Sequence, residues 1–432
     1  MALFDQFEQQ ITQLDPQQRQ FLIGLSGGLD STVLLALWEK YRQKQPHLQL
    51  RAIHIHHGLS PNADHWVAHC QQLCQQFSIP LIIEKVQLSR GMGVEAAARQ
   101  ARYHAIQRHI LPQEMLVTAH HQQDQTETFF LALKRGSGVS GLSAMKTQSA
   151  VFNFTIFRPL LPFSRQQLHQ YAIENQLSWI EDESNQNNQY ERNFLRNQIL
   201  PQLRERWAYF DQAVQRSATH CAEQQQLLAE LLQPELEKYA DKTHRTFDLT
   251  DFSQWSDLKQ KALLRLWLET LQQPMPSSKQ LSQLIQDVIL AETDRNPQFQ
   301  LGDKMLRRYQ QRLYLTEIFA DLRAIKIPVR LNQQIKLPDN LGEIRFTQIQ
   351  SAIQIQWQGK TYQLPLTDAP LSIRFAYSGK VRNAQGVHQD IKKLWQAHNV
   401  PVWQRTRTPL IFYGEHFQSA VGFFQNFASE SK

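Results

Sequence analysis

Apolar and polar positions along the chain change their period twice. In the first half, short apolar runs alternate with stretches of helical spacing. Phe21–Leu25 reads as a buried strand, and Ser31–Tyr41 carries its apolar residues at helical intervals. Leu50–Ile55 is a second strand, followed by a helix across Asn62–Phe77. Leu81–Val86 and Met115–Ala119 are further strands, with a helix across Val94–Ile110 between them. This rhythm predicts an α/β fold with a parallel sheet covered by helices. On such sheets ligands sit beyond the carboxyl ends of the strands.

After Trp207 the period becomes helical and Gln-rich, as in C-A-E-Q-Q-Q-L-L-A-E-L-L, and predicts a small helical domain over 208–290. From about Asn296 short alternating segments take over, with Pro and Gly between them. The expected domains are an α/β domain over 1–215, a mainly helical 216–320 and a basic α+β domain over 350–432. Residues 321–349 read equally as linker or strands. No tandem repeat is visible.

Composition narrows the class. With 432 residues, 41% of them apolar, the chain can bury several cores. No apolar run approaches the ~20 residues that span a bilayer, so no membrane partner is expected. The N-terminus lacks the basic and apolar blocks of a secretion signal. Three cysteines make no disulfide framework, and a cytoplasmic location is expected. The net charge is +7, and residues 331–432 hold eleven Lys/Arg against six Asp/Glu. That excess suits an anionic polymer.

The chemistry gathers in a few stretches. S-G-G-L-D-S, formed by Ser26, Gly27, Gly28, Leu29, Asp30 and Ser31, joins the first strand to a helix. Its glycines let the backbone turn tightly against a ligand, and the helix start offers free N–H groups to a phosphate. It is neither a Walker A loop nor a G-x-G-x-x-G fingerprint. Asp30 would repel a phosphate unless a Mg²⁺ ion bridges them. H-I-H-H-G-L-S, from His54, ends the second strand on the same edge. Glu95 and Arg99 form an i,i+4 pair on the next helix, a spacing that by itself is a common surface pair. Further on, His120 and His121 follow the Met115–Ala119 strand, and Asp124 and Glu127 share one helical face. His, Asp and Glu at the ligand edge suit metal binding and proton transfer. A helix near Tyr190–Leu200 puts Arg192 and Arg196 at i,i+4, able to grip phosphates, although an exposed charged helix reads the same way.

S-G-G-x-D-S resembles the signature of PP-loop ATP pyrophosphatases. With H-x-x-H-G-L at His54–Leu59, E-A-A-A-R at Glu95–Arg99, H-H-x-x-D-Q-x-E-T at His120–Thr128, R-P-L-L at Arg158–Leu161 and D-x-S-N with R-N-x-x-R across Asp182–Arg196, the chain closely resembles the tRNA(Ile)-lysidine synthase family. The motifs cover the first half, and the two domains beyond it match the long members. The resemblance implies a Rossmann-like N-terminal domain and an ATP-dependent ligase. It joins L-lysine to C2 of the wobble cytidine, position 34, of the isoleucine tRNA with a CAU anticodon, through an adenylated intermediate. AMP and pyrophosphate are released, and codon reading changes from AUG to AUA.

The resemblance also implies the site. Ser26–Ser31 hold ATP. Asp30, His120, Asp124 and Arg192 are the catalytic group, with Asp30 and Asp124 beside Mg²⁺. Glu95, Arg99, Glu127, Asp182, Asn185 and Arg196 bind substrates. Many members carry Asp-Asp before the Gln of the H-H motif, and here Gln123 precedes Asp124, which removes one metal ligand. A PP-loop tRNA thiolase is the enzymatic rival, and a nucleotide-dependent RNA-binding protein without turnover is the other. Thiolases often use C-x-x-C or a nucleophilic Cys. Cys70 and Cys74 are C-x-x-x-C and join Trp66, Leu73 and Phe77 in one apolar helical stripe, which reads as core. In the C-terminal domain Arg374, Lys380, Arg382, Lys392, Lys393, Arg405 and Arg407 are the expected RNA-binding cations, set against one acid, Asp390. Of the interleaved aromatics Phe375, Tyr377, Trp395 and Trp403, at least half are expected in the core. Monomer and homodimer are equally compatible with the sequence.

Overall fold

β1 (Gln20–Gly24) is buried at its three central positions, as its unbroken apolar run requires of a strand covered on both faces. The computed structural model that shows this describes residues 2–58, 60–87, 94–292, 296–382 and 386–427, leaving aside the side chains of 94–96. The chain divides into two compact units, Met1–Glu230 and Leu231–Lys432.

In the first unit α1 (Leu3–Ile11) precedes β1, and α2 (Leu29–Lys44) follows it. Then come β2 (Gln49–His56), α3 (Ala63–Gln76), β3 (Leu81–Lys85), α4 (Val94–His109) and β4 (Met115–Val117). The chain continues through α5 (Gln122–Lys134), α6 (Val139–Leu142), the hairpin of β5 (Gln148–Val151) and β6 (Phe154–Phe157), and α7 (Arg165–Glu174). A short α8 (Glu191–Phe194) runs through a π-helical turn, Leu195–Ile199, into α9 (Leu200–Arg206), and the long α10 (Phe210–Tyr239) follows. The sheet order is β3-β2-β1-β4-β6-β5, parallel except for β5. Strand order reverses between β1 and β4, which pair in register as Ile23 with Val117. The loops leaving those two strands therefore diverge and open a crevice between them.

Both faces of this sheet are packed. On one side Phe21 and Trp38 lie 4.3 Å apart between ring centres, with Phe7 meeting Trp38 edge-on at 5.7 Å. On the other, Leu22, Ile53, Ile106, Leu116 and Ile156 form a second cluster. α2 is buried almost all round, including Val33, Leu34, Leu35 and Leu37, so its start is fixed firmly against the sheet. Cys70 and Cys74 belong to the same core.

The second unit is less helical than its sequence period suggests. Helices Asp257–Thr270 and Ser278–Gln283 pack on a five-stranded antiparallel sheet of Ala240–Asp241, Thr246–Asp248, Arg312–Glu317, Lys304–Tyr309 and Gln298–Leu301, in that spatial order. Residues 321–349, readable as linker or strands, contain three strands: Lys326–Val329, Gln333–Lys336 and Glu343–Ile349. Lys326–Val329 joins a five-stranded sheet with Leu371–Arg374 and Leu410–Tyr413. The other two begin a four-stranded meander that ends with Lys360–Pro365. Among the described residues no helix is long and apolar enough to cross a membrane.

Candidate active site

The crevice at the strand-order reversal is a cleft of about 420 Å³ in the first unit. One wall is the loop Ser26–Ser31. Gly27 takes φ +87°, and a Cβ added there would stand 3.1 Å from the Cys70 sulfur and 3.3 Å from Ile180, so only glycine fits. The loop is tied internally: Ser26 Oγ and Ser31 Oγ are 3.0 Å apart, Gly28 N–H donates to Ser26 Oγ at 3.3 Å, and Ser31 Oγ donates to the Gly28 carbonyl at 3.0 Å. Ile180 N–H donates to the Gly27 carbonyl at 2.9 Å and fixes the loop's outer side. Gly28 caps α2 without a side chain, which leaves the first N–H groups of that helix facing the cleft.

The opposite wall comes from the end of β4 and the start of α5. His121 caps α5: its Nδ1 accepts the Gln123 N–H at 3.2 Å, so its Nε2 carries the proton. Nε2 stands 3.5 Å from both Asp30 and Asp124, and His121 thus bridges the Ser26–Ser31 loop and α5. Burial works to lower the pKa of His121, and the two carboxylates outweigh it and raise it. His120 lines the cleft with Nδ1 2.8 Å from Thr118 Oγ1, and burial pushes it down to about 3, so it stays neutral.

Behind this wall lies a buried charge network. Glu127 is fully buried; it accepts Arg192 Nε at 2.6 Å, Arg196 Nε at 2.6 Å and Arg196 Nη2 at 2.9 Å. Asp124 Oδ1 accepts from Arg192 at 3.1 Å and from Arg196 at 3.3 Å, while Oδ2 accepts the His121 N–H at 3.0 Å. Burial would raise the Asp124 pKa, but His121 and Arg192 hold it well below the usual carboxylate range. The π-helical turn of Leu195–Ile199 offsets the helix between Arg192 and Arg196, a common feature of functional sites.

The structure brings together Ser26, Gly28, Leu29, Asp30, Ser31, His120, Asp124, Arg196, Asp182, Asn185 and Arg99 on one cleft, with Gly27 behind it. It corrects one expected contact. Glu127 has no exposed surface and both its oxygens are engaged, so it positions the two arginines and does not touch a substrate. Arg192 stands with it in the layer behind Asp124. Glu95 lies on α4, and its side chain is outside the described residues. Gln123 holds the start of α7 by accepting the Arg165 N–H at 2.8 Å. Sequence reasoning passed over His121 in favour of His120, although the doublet itself was the signal. It also passed over Arg102, which lines the cleft three residues after Arg99 on the same face of α4.

The metal assignment divides. Asp124 has donors on both oxygens, whereas Asp30 Oδ1 is buried with no hydrogen-bond partner among the described residues. Asp30 alone of the pair keeps an oxygen suited to a cation. No group of three or more metal-ligating side chains gathers among the described residues, so an ion there would take most of its ligands from phosphate oxygens and water.

In the second unit the basic stretch is only partly available. Arg374 pairs with Glu415 at 2.7 Å, donates to the Gly414 carbonyl and lies over the Phe412 ring. Arg407 is tied to Asp339 and lies 4.1 Å over Phe319. Both are engaged by neighbours in their own unit, and their place among the RNA-binding cations remains an expectation. Arg405 donates to the Val400 carbonyl and Arg382 to that of Gly386. Lys380, Lys392 and Lys393 are exposed. Phe375, Trp395 and Trp403 are buried, and Tyr377 stacks on Phe417.

Residues 3–203 match the PP-loop domain family, 247–314 the TilS substrate binding domain and 371–432 the TilS substrate C-terminal domain. The tRNA(Ile)-lysidine synthase of Histophilus somni (strain 129Pt) is 58% identical over 99% of this chain and 100% of its own length. That of Haemophilus influenzae (strain PittGG) is 56% identical over 99% of both. Among solved structures, the U34-tRNA thiolase NcsA from Methanococcus maripaludis superposes with a TM-score of 0.44 at 16% identity, covering 51% of this chain and 78% of that one. With full-length identity above half, a cleft built on S-G-G-L-D-S and all three matched domains in order, this chain belongs to the tRNA(Ile)-lysidine synthase family.

Proposed function

We propose that the protein ligates L-lysine to C2 of the wobble cytidine of the CAU-anticodon isoleucine tRNA, using ATP. The observation that carries the reading is the meeting of the glycine loop and the Asp30–His121–Asp124 bridge at the sheet's reversal point in a chain of this family. In the first step the C2 oxygen attacks the α-phosphorus of ATP, and the bond to pyrophosphate breaks. The loop N–H groups and the start of α2 carry the phosphate charge. Mg²⁺, held on Asp30 and the phosphates, would neutralise the leaving pyrophosphate. In the second step the lysine amine attacks C2 and loses a proton, and AMP leaves with the oxygen.

The chain's own residues orient and screen. Glu127 and Asp124 fix the guanidinium of Arg196 at the cleft wall, where its charge meets phosphate. His121 keeps the loop and α5 at one spacing. His120, neutral at physiological pH, offers the cleft a hydrogen bond without a charge. The buried cysteines speak against the thiolase reading: burial raises Cys70 to about 12 and Cys74 to about 11, so neither is a thiolate at neutral pH. Incubating the protein with tRNA, ATP and lysine and analysing the tRNA nucleosides by mass spectrometry tests the function. Lysine-bearing cytidine is expected; a sulfur-bearing product, or pyrophosphate release without any modified nucleoside, would overturn it.

A further inference from the structure

Two aromatic rings stand in water on the turn between α9 and α10. Trp207 is 54% exposed and Tyr209 72%. The turn does not need either ring for its backbone: Trp207 N–H donates to the Leu203 carbonyl at 2.9 Å, and Phe210 N–H to that of Trp207 at 3.0 Å. It is a fixed mount. Trp207 stacks one face on Phe210, with ring centres 5.8 Å apart and planes at 25°, and Phe210 rests on Phe130 of α5 at 5.8 Å. The tryptophan is therefore held from one side and open on the other.

Its neighbourhood is set by the seam between α5 and α10, which run antiparallel here. Gln122 bonds Gln215 at 2.9 Å, Thr126 bonds Asp211 at 2.6 Å, and Phe130 meets Phe210. The last turn of α5, beyond Phe130, carries Lys134. Residues 128–149 contain Lys134, Arg135 and Lys146 and no acid. Lys134 is paired with Glu191, while Arg135 and Arg206 are exposed, Arg206 directly preceding Trp207 in the chain. An open indole next to an exposed arginine, near a stretch of cations without acids, suits a flat, polyanionic partner better than an apolar protein surface, which would want a broad patch with few cations. Asp124 at the cleft and Lys134 share α5, about 15 Å apart at ~1.5 Å per residue. An unpaired strand leaving the cleft spans that distance within a few nucleotides.

We propose that the open face of Trp207 stacks an unpaired nucleobase of the tRNA anticodon loop, a few nucleotides from the base being modified, with Arg206 on an adjoining phosphate. The proposal rests on the tRNA-modifying reading above. Base–aromatic stacking tolerates any base, so the platform would hold the loop splayed without adding sequence choice.

The test uses the full-length chain and the tRNA. Trp207→Leu keeps apolar packing on Phe210 and removes the stack; Trp207→Phe keeps a smaller ring. The Leu variant is expected to raise KM for tRNA about tenfold, the order a base–aromatic stack is worth, with ATP affinity and thermal midpoint unchanged. The Phe variant should recover most of the loss. In parallel, abasic replacement of each anticodon-loop nucleotide should weaken binding to wild type at one position, and that same replacement should cost the Leu variant nothing further. Unchanged KM, equal loss of ATP affinity, or no position where the abasic and Leu effects merge would overturn the proposal while leaving lysine ligation standing. Self-association of wild type that Trp207→Leu abolishes would assign the surface to a second copy and overturn it as well. Failure of wild type to modify tRNA at all would instead defeat the functional reading beneath it.

Discussion

Arg192 and Arg196 in the first unit and Arg374 and Arg407 in the second carry the same guanidinium, and all four invite the label of anion grip. In the cleft, two arginines share two carboxylates, one of them fully buried, and Arg196 still shows an edge to the cavity. In the second unit each arginine has its own carboxylate and aromatic ring, Glu415 (shared with Lys326) with Phe412 and Asp339 with Phe319. The first arrangement aims positive charge at a cavity; the second ties it to neighbours within its own unit. The partners an arginine already holds, and the edge it leaves open, decide its work. Its mere presence in a basic stretch does not.

The sharpest way to break this contrast is Glu127→Ala. It would leave two partly buried guanidiniums short of a partner and should cost about 3–5 kcal/mol of stability, read from denaturant unfolding. A loss under about 1 kcal/mol would mean that the network is loose and the contrast false. Asp30→Ala leaves the network intact and should lower pyrophosphate release at saturating Mg²⁺-ATP by at least about 100-fold. Normal release by a folded variant would remove Asp30 from the phosphate site. Arg407→Ala should cost about 1–3 kcal/mol in the second unit and leave ATP affinity untouched. If it instead abolished tRNA binding without loss of stability, Arg407 would belong to the RNA-facing group. Reversing charge at Lys392 and Lys393, both exposed, should lower the slope of log K for tRNA against log salt by about 0.7–0.9 for each phosphate no longer neutralised. An unchanged slope would make this stretch a solvated face.

The smallest effect concerns acid. Burial pushes His57 down to about 4 and His120 down to about 3, whereas in the unfolded chain each takes a proton near 6.5. The unfolded state therefore binds more protons below about pH 6.5, and stability is lost as pH falls toward 4. Replacing His57 by Gln should flatten the fall in thermal midpoint between pH 7 and pH 4; an identical slope would show that His57 is not part of it.

Much of the first unit is legible because its strands and helices are long and its motifs lie within single turns. Phe21–Leu25 and Met115–Ala119 announce β1 and β4, and their order places Ser26–Ser31 opposite His120. What could not be read is pairing at a distance. Glu127 and Arg192 are 65 positions apart in the chain, and no local pattern tells a buried carboxylate from one facing substrate. His121 was passed over for His120 because nothing local shows that it caps α5. In the second unit Ala240–Asp241 and Thr246–Asp248 are too short to show a period of two. Gln333–Lys336 has no apolar alternation because it lies at a sheet edge.

The sulfur beneath Gly27 has a consequence for handling the protein. A thiol with a pKa of about 12 is ionised in roughly one molecule in ten thousand at pH 8. Cys74 is little better, which leaves the half-buried Cys221 as the site that maleimide or iodoacetamide would reach first. A Cys221→Ser background should therefore accept one new cysteine at Lys392 or Tyr209 for spin labels or cross-linkers, with no need to empty the core under the ATP loop. Any reagent that did reach Cys70 would push on a backbone with no room to move, and nucleotide binding would report the intrusion.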